Sequence, residues 1–215
     1  VLLCHVIKGM STSLTVTNLC KQFEHRVVLR NVSFSVANGH ALVVTGPNGS
    51  GKTTLMRILS GLMLPTSGAA SLEIDGTVVD FDERRREVGF VTPEVHVYPE
   101  LTPVENLKFF HTVRGLEWDE AEAAHWLRRV GLDARRDDPV GNFSSGMKQR
   151  VKLICALAHH PSLLLLDEPG ANLDERGRES LSGMVEIQRK RGMTIIATND
   201  PKELTLGDEI VALRA

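Results

Sequence analysis

No stretch of this chain is long and apolar enough to span a bilayer: the longest leucine run, Leu163 to Leu166, falls far short of the ~20 residues required. Cysteine is scarce. Cys4, Cys20 and Cys155 are odd in number and form no Cys-x-x-Cys pair, which argues against a disulfide framework and suits a reducing compartment. Cys20 and Cys155 sit among apolar neighbours and are expected to pack in the core. An excess of positive charge is also missing, since 25 Lys and Arg stand against 27 Asp and Glu. That balance excludes a nucleic-acid binder working through a basic surface, so no nucleic-acid partner is expected. The opening VLLCHVIKGM has too short an apolar stretch, and no small-residue cleavage site, to be a secretory signal. Met10 followed by Ser-Thr-Ser reads as a more natural start, so residues 1–10 are expected to be a loose extension ahead of a domain over 11–215.

What is present is ordinary for a globular protein: 42% hydrophobic and 24% charged residues, in 215, enough to bury a real core. Leu14–Phe23 and Val27–Val36 alternate like half-exposed strands, whereas Ala41–Gly46 is continuously apolar, like a buried parallel strand. A helix is expected from Lys52 to about Leu62, then a hairpin in Ser71–Asp80 turning at Asp75-Gly76, and a short strand in Arg86–Thr92. Residues 102–131 change to helical spacing in two helices, the first opened by a Thr102–Glu105 capping box with Pro103 inside it. Helices near 144–159 and 174–191 then alternate with strands at Leu163–Glu168, Met193–Thr198 and Glu209–Arg214. The alternation implies an α/β fold with a mainly parallel sheet. Three features take a plain structural reading: the Asp82–Val88 run balances its arginines with acids and reads as a solvated face, His159-His160 closes a helix, and Phe109, Phe110, Trp118 and Trp126 read mainly as core, the alternative being a groove that accepts a short helix from a membrane partner.

The chemistry lies at the ends of the apolar strands. GPNGSGKTT (Gly46, Pro47, Asn48, Gly49, Ser50, Gly51, Lys52, Thr53, Thr54) matches the phosphate-loop pattern and stands between a strand and a helix. Its glycines let backbone amides wrap phosphate oxygens, Lys52 neutralises the outer phosphates, and the Thr53 hydroxyl suits Mg²⁺. LLLLDEPG ends a buried strand in two carboxylates: Asp167 to hold the metal and Glu168 to polarise an attacking water.

FSSGMKQR (Phe143–Arg150) resembles the signature sequence of ABC-type ATPases, and GANLDE after Glu168 resembles that family's D-loop, with Asp174 in the aspartate position. Phe23 falls where the family places an aromatic on adenine. The resemblance runs from about Leu14 to the C-terminus. It implies a phosphate-loop NTPase with an antiparallel β subdomain and an inserted helical subdomain at approximately 93–160, using ATP and Mg²⁺. It further implies a head-to-tail pair with a second ABC ATPase subunit, identical or not, in which Ser144, Ser145 and Gly146 of one copy complete the ATP site of the other. The expected function is ATP hydrolysis for a separate transmembrane permease, with the chain on the cytoplasmic face of the cell membrane. A soluble non-transport ATPase, or an ATP-dependent clamp with weak hydrolysis, is the alternative. Small size and the stop at EIVALRA resemble the compact ATPases of haem exporters.

Departures from the family pattern are informative. Asn199 stands at the switch-histidine position, where it can donate to a γ-phosphate but carries neither proton nor charge; slower turnover is expected. Pro93 replaces the loop glutamine, leaving the neighbouring Glu94 to take over near metal and water. Ser145 and Met147 replace a glycine and a glutamine in the signature, which puts the ribose contact in doubt but leaves the phosphate contact intact.

Overall fold

The structure, a computed structural model, describes residues 11–171 and 173–214; the expected N-terminal extension, Cys4 included, lies outside the described residues. Two long strands, β1 (Thr12–Phe23) and β2 (Arg26–Ala37), precede β3 (Ala41–Thr45) and α1 (Lys52–Leu59). A hairpin follows, β4 (Ser67–Ile74) and β5 (Thr77–Val78), whose turn residues Asp75 and Gly76 take φ of 50° and 76°, as a two-residue primed turn demands. Next come α2 (Arg84–Glu87), β6 (Val88–Val91), α3 (Pro103–Val113), α4 (Glu120–Arg129) and α5 (Ser145–Leu157). The chain closes with β7 (Leu163–Asp167), α6 (Glu175–Arg189), β8 (Met193–Ala197) and β9 (Glu209–Ala212).

The strands form two sheets. One is antiparallel in the order β2-β1-β4-β5; the other is parallel throughout, in the order β6-β7-β8-β3-β9. Alternate residues of the parallel strands feed two cores. Leu42, Val44, Leu163, Leu165 and Ile195 pack with α1 and the antiparallel sheet. Val43, Leu164, Leu166 and Ile196 face the opposite way, towards Leu107, Leu127, Val151 and Leu181 of the helical layer. Burial on both faces explains why these strands read as unbroken apolar runs. In register, Val44 pairs with Ala197 and Ala197 with Asp167, so β3, β8 and β7 finish side by side. Their carboxyl ends form the edge where open α/β sheets bind ligands.

Some expectations need correction. α1 stops at Leu59, not Leu62, because Gly61 turns the chain at φ 77°. The Asp82–Val88 run is not wholly solvated: Arg84 is buried, donates to the Ala70 carbonyl at 2.6 Å and lies over the Phe81 ring. Cys20 is not a core residue either; its thiol is 3.2 Å from Asn31 Oδ1 and accepts from the Asn31 amide. Cys155, by contrast, packs against the helical core. Of the four helical-block aromatics, Trp126 is core and Trp118 packs against it, while Phe109 reaches solvent beside Tyr98. α5 ends before His159 and His160, which instead bond Val88 O and Glu122.

Candidate nucleotide site

At the carboxyl edge, β3 runs into the loop 46–51. Gly51 has φ 96°, and a Cβ there would lie 2.7 Å from Leu29 Cδ2, so glycine alone lets the loop close against β2. Gly51 also leaves α1 without a side-chain cap, and the first-turn amides are available to an anion. Asn48, Gly49, Lys52, Thr53, Thr54 and Glu168 line a cavity of about 450 Å³, closed on the β2 side by Arg26 and Val28.

Lys52 is 7% exposed, with its ammonium 2.9 Å from Gly46 O and 3.7 Å from Glu168 Oε1. Asp167, at the end of β7, is 1% exposed, and neither carboxylate oxygen has a hydrogen-bond partner among the described residues. Burial pushes the Asp167 carboxyl above the usual carboxylate range, the Thr53 hydroxyl pulls it back, and Glu168 pushes it up again. A buried carboxylate lacking hydrogen-bond partners beside a hydroxyl is a hard-oxygen donor set, which fits Mg²⁺. Glu168 takes φ 49°, the left-handed region that non-glycine residues rarely enter, while its amide donates to Ala197 O at 2.8 Å. That bond to β8 holds the strained backbone in place.

The signature residues cluster elsewhere. Ser144 caps α5, its hydroxyl accepting from the Met147 amide at 3.2 Å, and both Ser144 and Ser145 are exposed. Ser145 lines a separate cavity of about 540 Å³ with Pro93, Val97, Gln149 and Lys152, and Glu168 stands on its wall as well. Thus Glu168 borders both cavities, whereas Ser145 lines only the second.

A family profile described as ABC transporter matches residues 29–171. The chain belongs to this family. Among its relatives, the linearmycin resistance ATP-binding protein LnrL of Bacillus subtilis is 36% identical over 186 residues, covering 85% of this chain and 59% of that protein. The lantibiotic transport ATP-binding protein SrtF of Streptococcus pyogenes is 36% identical, covering 86% of this chain and 79% of that protein. The chain spans less than two thirds of LnrL. Among solved structures, an ATP-binding cassette described as a dimer in a post-hydrolysis state with ADP and Pi superposes with a TM-score of 0.80 at 26% identity, covering 93% and 94% of the two chains. The two-sheet core with its helical layer is therefore the ABC ATPase fold.

Set against the rest of the family pattern, the remaining residues divide. Asp174 caps α6, its carboxylate accepting from Gly177 N at 2.8 Å. Asn199 does reach the edge, where its Oδ1 accepts from Lys52 at 3.1 Å and its amide donates to Asn48 Oδ1 at 2.8 Å. Glu94 is turned to Arg57 at 2.7 Å and is mostly exposed; its charge is felt at Asp167 only weakly, as the last of five influences. Phe23 is 43% exposed at the end of β1 with the Lys21 ammonium 5.0 Å from its ring.

Sequence reasoning missed a supporting layer. Gln149 of α5 donates to Pro169 O at 3.1 Å, tying the signature helix to the segment after Glu168. Behind that segment, Arg178 of α6 pairs with Asp200 at 2.8 Å, and buried Glu203 sits so close to Gly170 that any side chain there would overlap its carboxylate. These contacts join residues distant in sequence, which leave no local pattern.

Proposed function

We propose that the chain is the ATP-binding subunit of an ABC transporter and hydrolyses ATP there. The observation that carries this reading is the buried Asp167 carboxylate, beside the Thr53 hydroxyl and without a hydrogen-bond partner among the described residues, next to strained Glu168, both facing Lys52 and the phosphate loop. In this reading the loop amides and Lys52 bind the phosphate oxygens, with Ser50, Thr53 and Thr54 on the same loop and helix start. Glu168 accepts the proton of a water that attacks the γ-phosphorus as the β–γ bridging bond breaks. Thr53 and Asp167 would hold Mg²⁺, which when bound offsets the charge of the phosphate oxygens. Phe23, exposed near the loop side of β1, is suited to stack on adenine.

Separation of Ser144–Gly146 from the phosphate-loop cavity supports completion in trans: a second subunit would bring its α5 N-terminus to the γ-phosphate. Asp174, at the head of α6, would then lie in the seam between the two. A permease is the third component of this reading; no described helix is long and apolar enough to cross a membrane. Exposed Tyr98 and Phe109, stacked edge to face at 4.6 Å, offer an apolar seat for a short helix of that permease, which would hold the chain at the inner face of the membrane. LnrL and SrtF are described by linearmycin resistance and lantibiotic transport, and other relatives of similar identity by spermidine/putrescine or sulfate/thiosulfate import; none of these names supports haem export.

Phosphate release with Glu168→Gln tests the reading. Hydrolysis is expected to fall at least about a hundredfold while ATP affinity stays within about twofold, the mark of a transition-state role. Unchanged hydrolysis would remove Glu168 from the chemistry.

A further inference from the structure

The Asn199 amide is occupied at both ends. Its oxygen accepts from the Lys52 ammonium at 3.1 Å, and its nitrogen donates to Asn48 Oδ1 at 2.8 Å. The orientation follows from chemistry: an ammonium only donates, so it must face the carbonyl end, leaving the NH₂ group for an acceptor. Asn48 lies near the tip of the phosphate loop and Lys52 at its far end, three residues before and one after Gly51 respectively. One side chain from the segment just after β8 therefore clasps the loop across its mouth.

We propose that Asn199 is a positioning residue for the phosphate loop, holding Lys52 and Asn48 in their binding geometry, and not a direct contact to the γ-phosphate. The inference rests on the nucleotide-site reading above. Lys52 is nearly buried, and its other partners are the Gly46 carbonyl at 2.9 Å and Glu168 at 3.7 Å. Without Asn199, the ammonium would be left to the Gly46 carbonyl and the Glu168 carboxylate, and the loop would lose the bridge between Lys52 and Asn48 that sets its mouth. The clasp also ties the segment that leaves β8 to the loop, so a shift of one moves the other.

The two roles separate on a nucleotide that lacks the γ-phosphate. A γ-phosphate contact cannot affect Mg·ADP, whereas a clasp on Lys52 and Asn48 serves the inner phosphates too. With Asn199→Ala, affinity for Mg·ADP and for Mg·ATP, measured by calorimetry, is expected to fall together by about tenfold, the size of one charged hydrogen bond. The Michaelis constant for ATP should rise similarly while kcat changes less than about twofold. Asn48→Ala should reproduce the ADP defect in part, and the Asn48→Ala/Asn199→Ala double variant should bind no more than about twofold worse than Asn199→Ala, since both remove one bridge. Asn199 is exposed, so its removal does not open the core; a melting curve checks this, and Asn48→Ala gives a second route to the same answer. Unchanged ADP affinity with a lowered kcat, or full additivity of the two substitutions, would overturn the clasp. Wild-type Mg·ADP binding is measured alongside: if it is absent, the nucleotide-site reading fails, and this inference with it.

Discussion

Asn106 has no exposed surface, and its side chain satisfies backbone groups on both sides of the loop that leads into α3. Its oxygen accepts from Tyr98 N at 2.8 Å, and its NH₂ donates to Tyr98 O and Thr102 O, each at 3.0 Å. Asn106→Ala leaves the Tyr98 amide without its partner, while Tyr98 O and Thr102 O keep backbone donors in Leu101 N and Asn106 N, and equilibrium unfolding in urea is expected to show a loss of about 1–3 kcal/mol. A loss below about 0.5 kcal/mol would mean that water replaces the amide without cost. The residue was invisible in the sequence, although the capping box one turn earlier was plain, because an asparagine on a helix has no pattern that reveals which carbonyls it meets. Lys52, Thr53, Asp167 and Glu168 were legible for the opposite reason: each belongs to a contiguous motif whose flanking strand fixes its place. Glu94 shows the limit of adjacency: a missing glutamine beside it pointed to the metal, and the folded chain pairs it with Arg57 while its charge still acts on Asp167.

At the scale of elements, strands and helices followed from hydrophobic period, and the corrections fall at ends and in α2, where a single positive-φ glycine or a buried arginine decides. His159, in the turn between α5 and β7, is an instance with a measurable consequence. Its Nε2 lies 3.3 Å from Val88 O in β6, and its Nδ1 is buried without a partner among the described residues. The neutral ring must therefore carry its proton on Nε2 and donate to Val88. Burial first, and Arg114 next, push its pKa down from 6.5 to about 3. The folded pKa lies below the unfolded one, so between these values the unfolded chain holds more protons and stability is lost as pH falls. Between pH 6.5 and 4 the urea midpoint of the wild type is expected to drop more steeply than that of His159→Asn. Parallel slopes would show that another group governs acid unfolding.

For the whole molecule, the sequence revealed the two subdomains and the parallel sheet but not the order β6-β7-β8-β3-β9, because crossovers between distant strands leave no local mark. Nor could spacing alone show that Ser145 lines a different cavity from the phosphate loop, with Glu168 on the wall of both. On the reading proposed above, that arrangement leaves one chain an incomplete nucleotide site, and the central claim is that a second chain completes it. Sedimentation of Glu168→Gln, with and without millimolar Mg·ATP, is the direct measurement. A monomer is expected alone and with Mg·ADP, a dimer with Mg·ATP, and a monomer again when Gly146→Asp places a carboxylate at the signature helix start, where it repels the γ-phosphate. A protein that binds Mg·ATP yet stays monomeric throughout, or a dimer indifferent to Gly146→Asp, would contradict it.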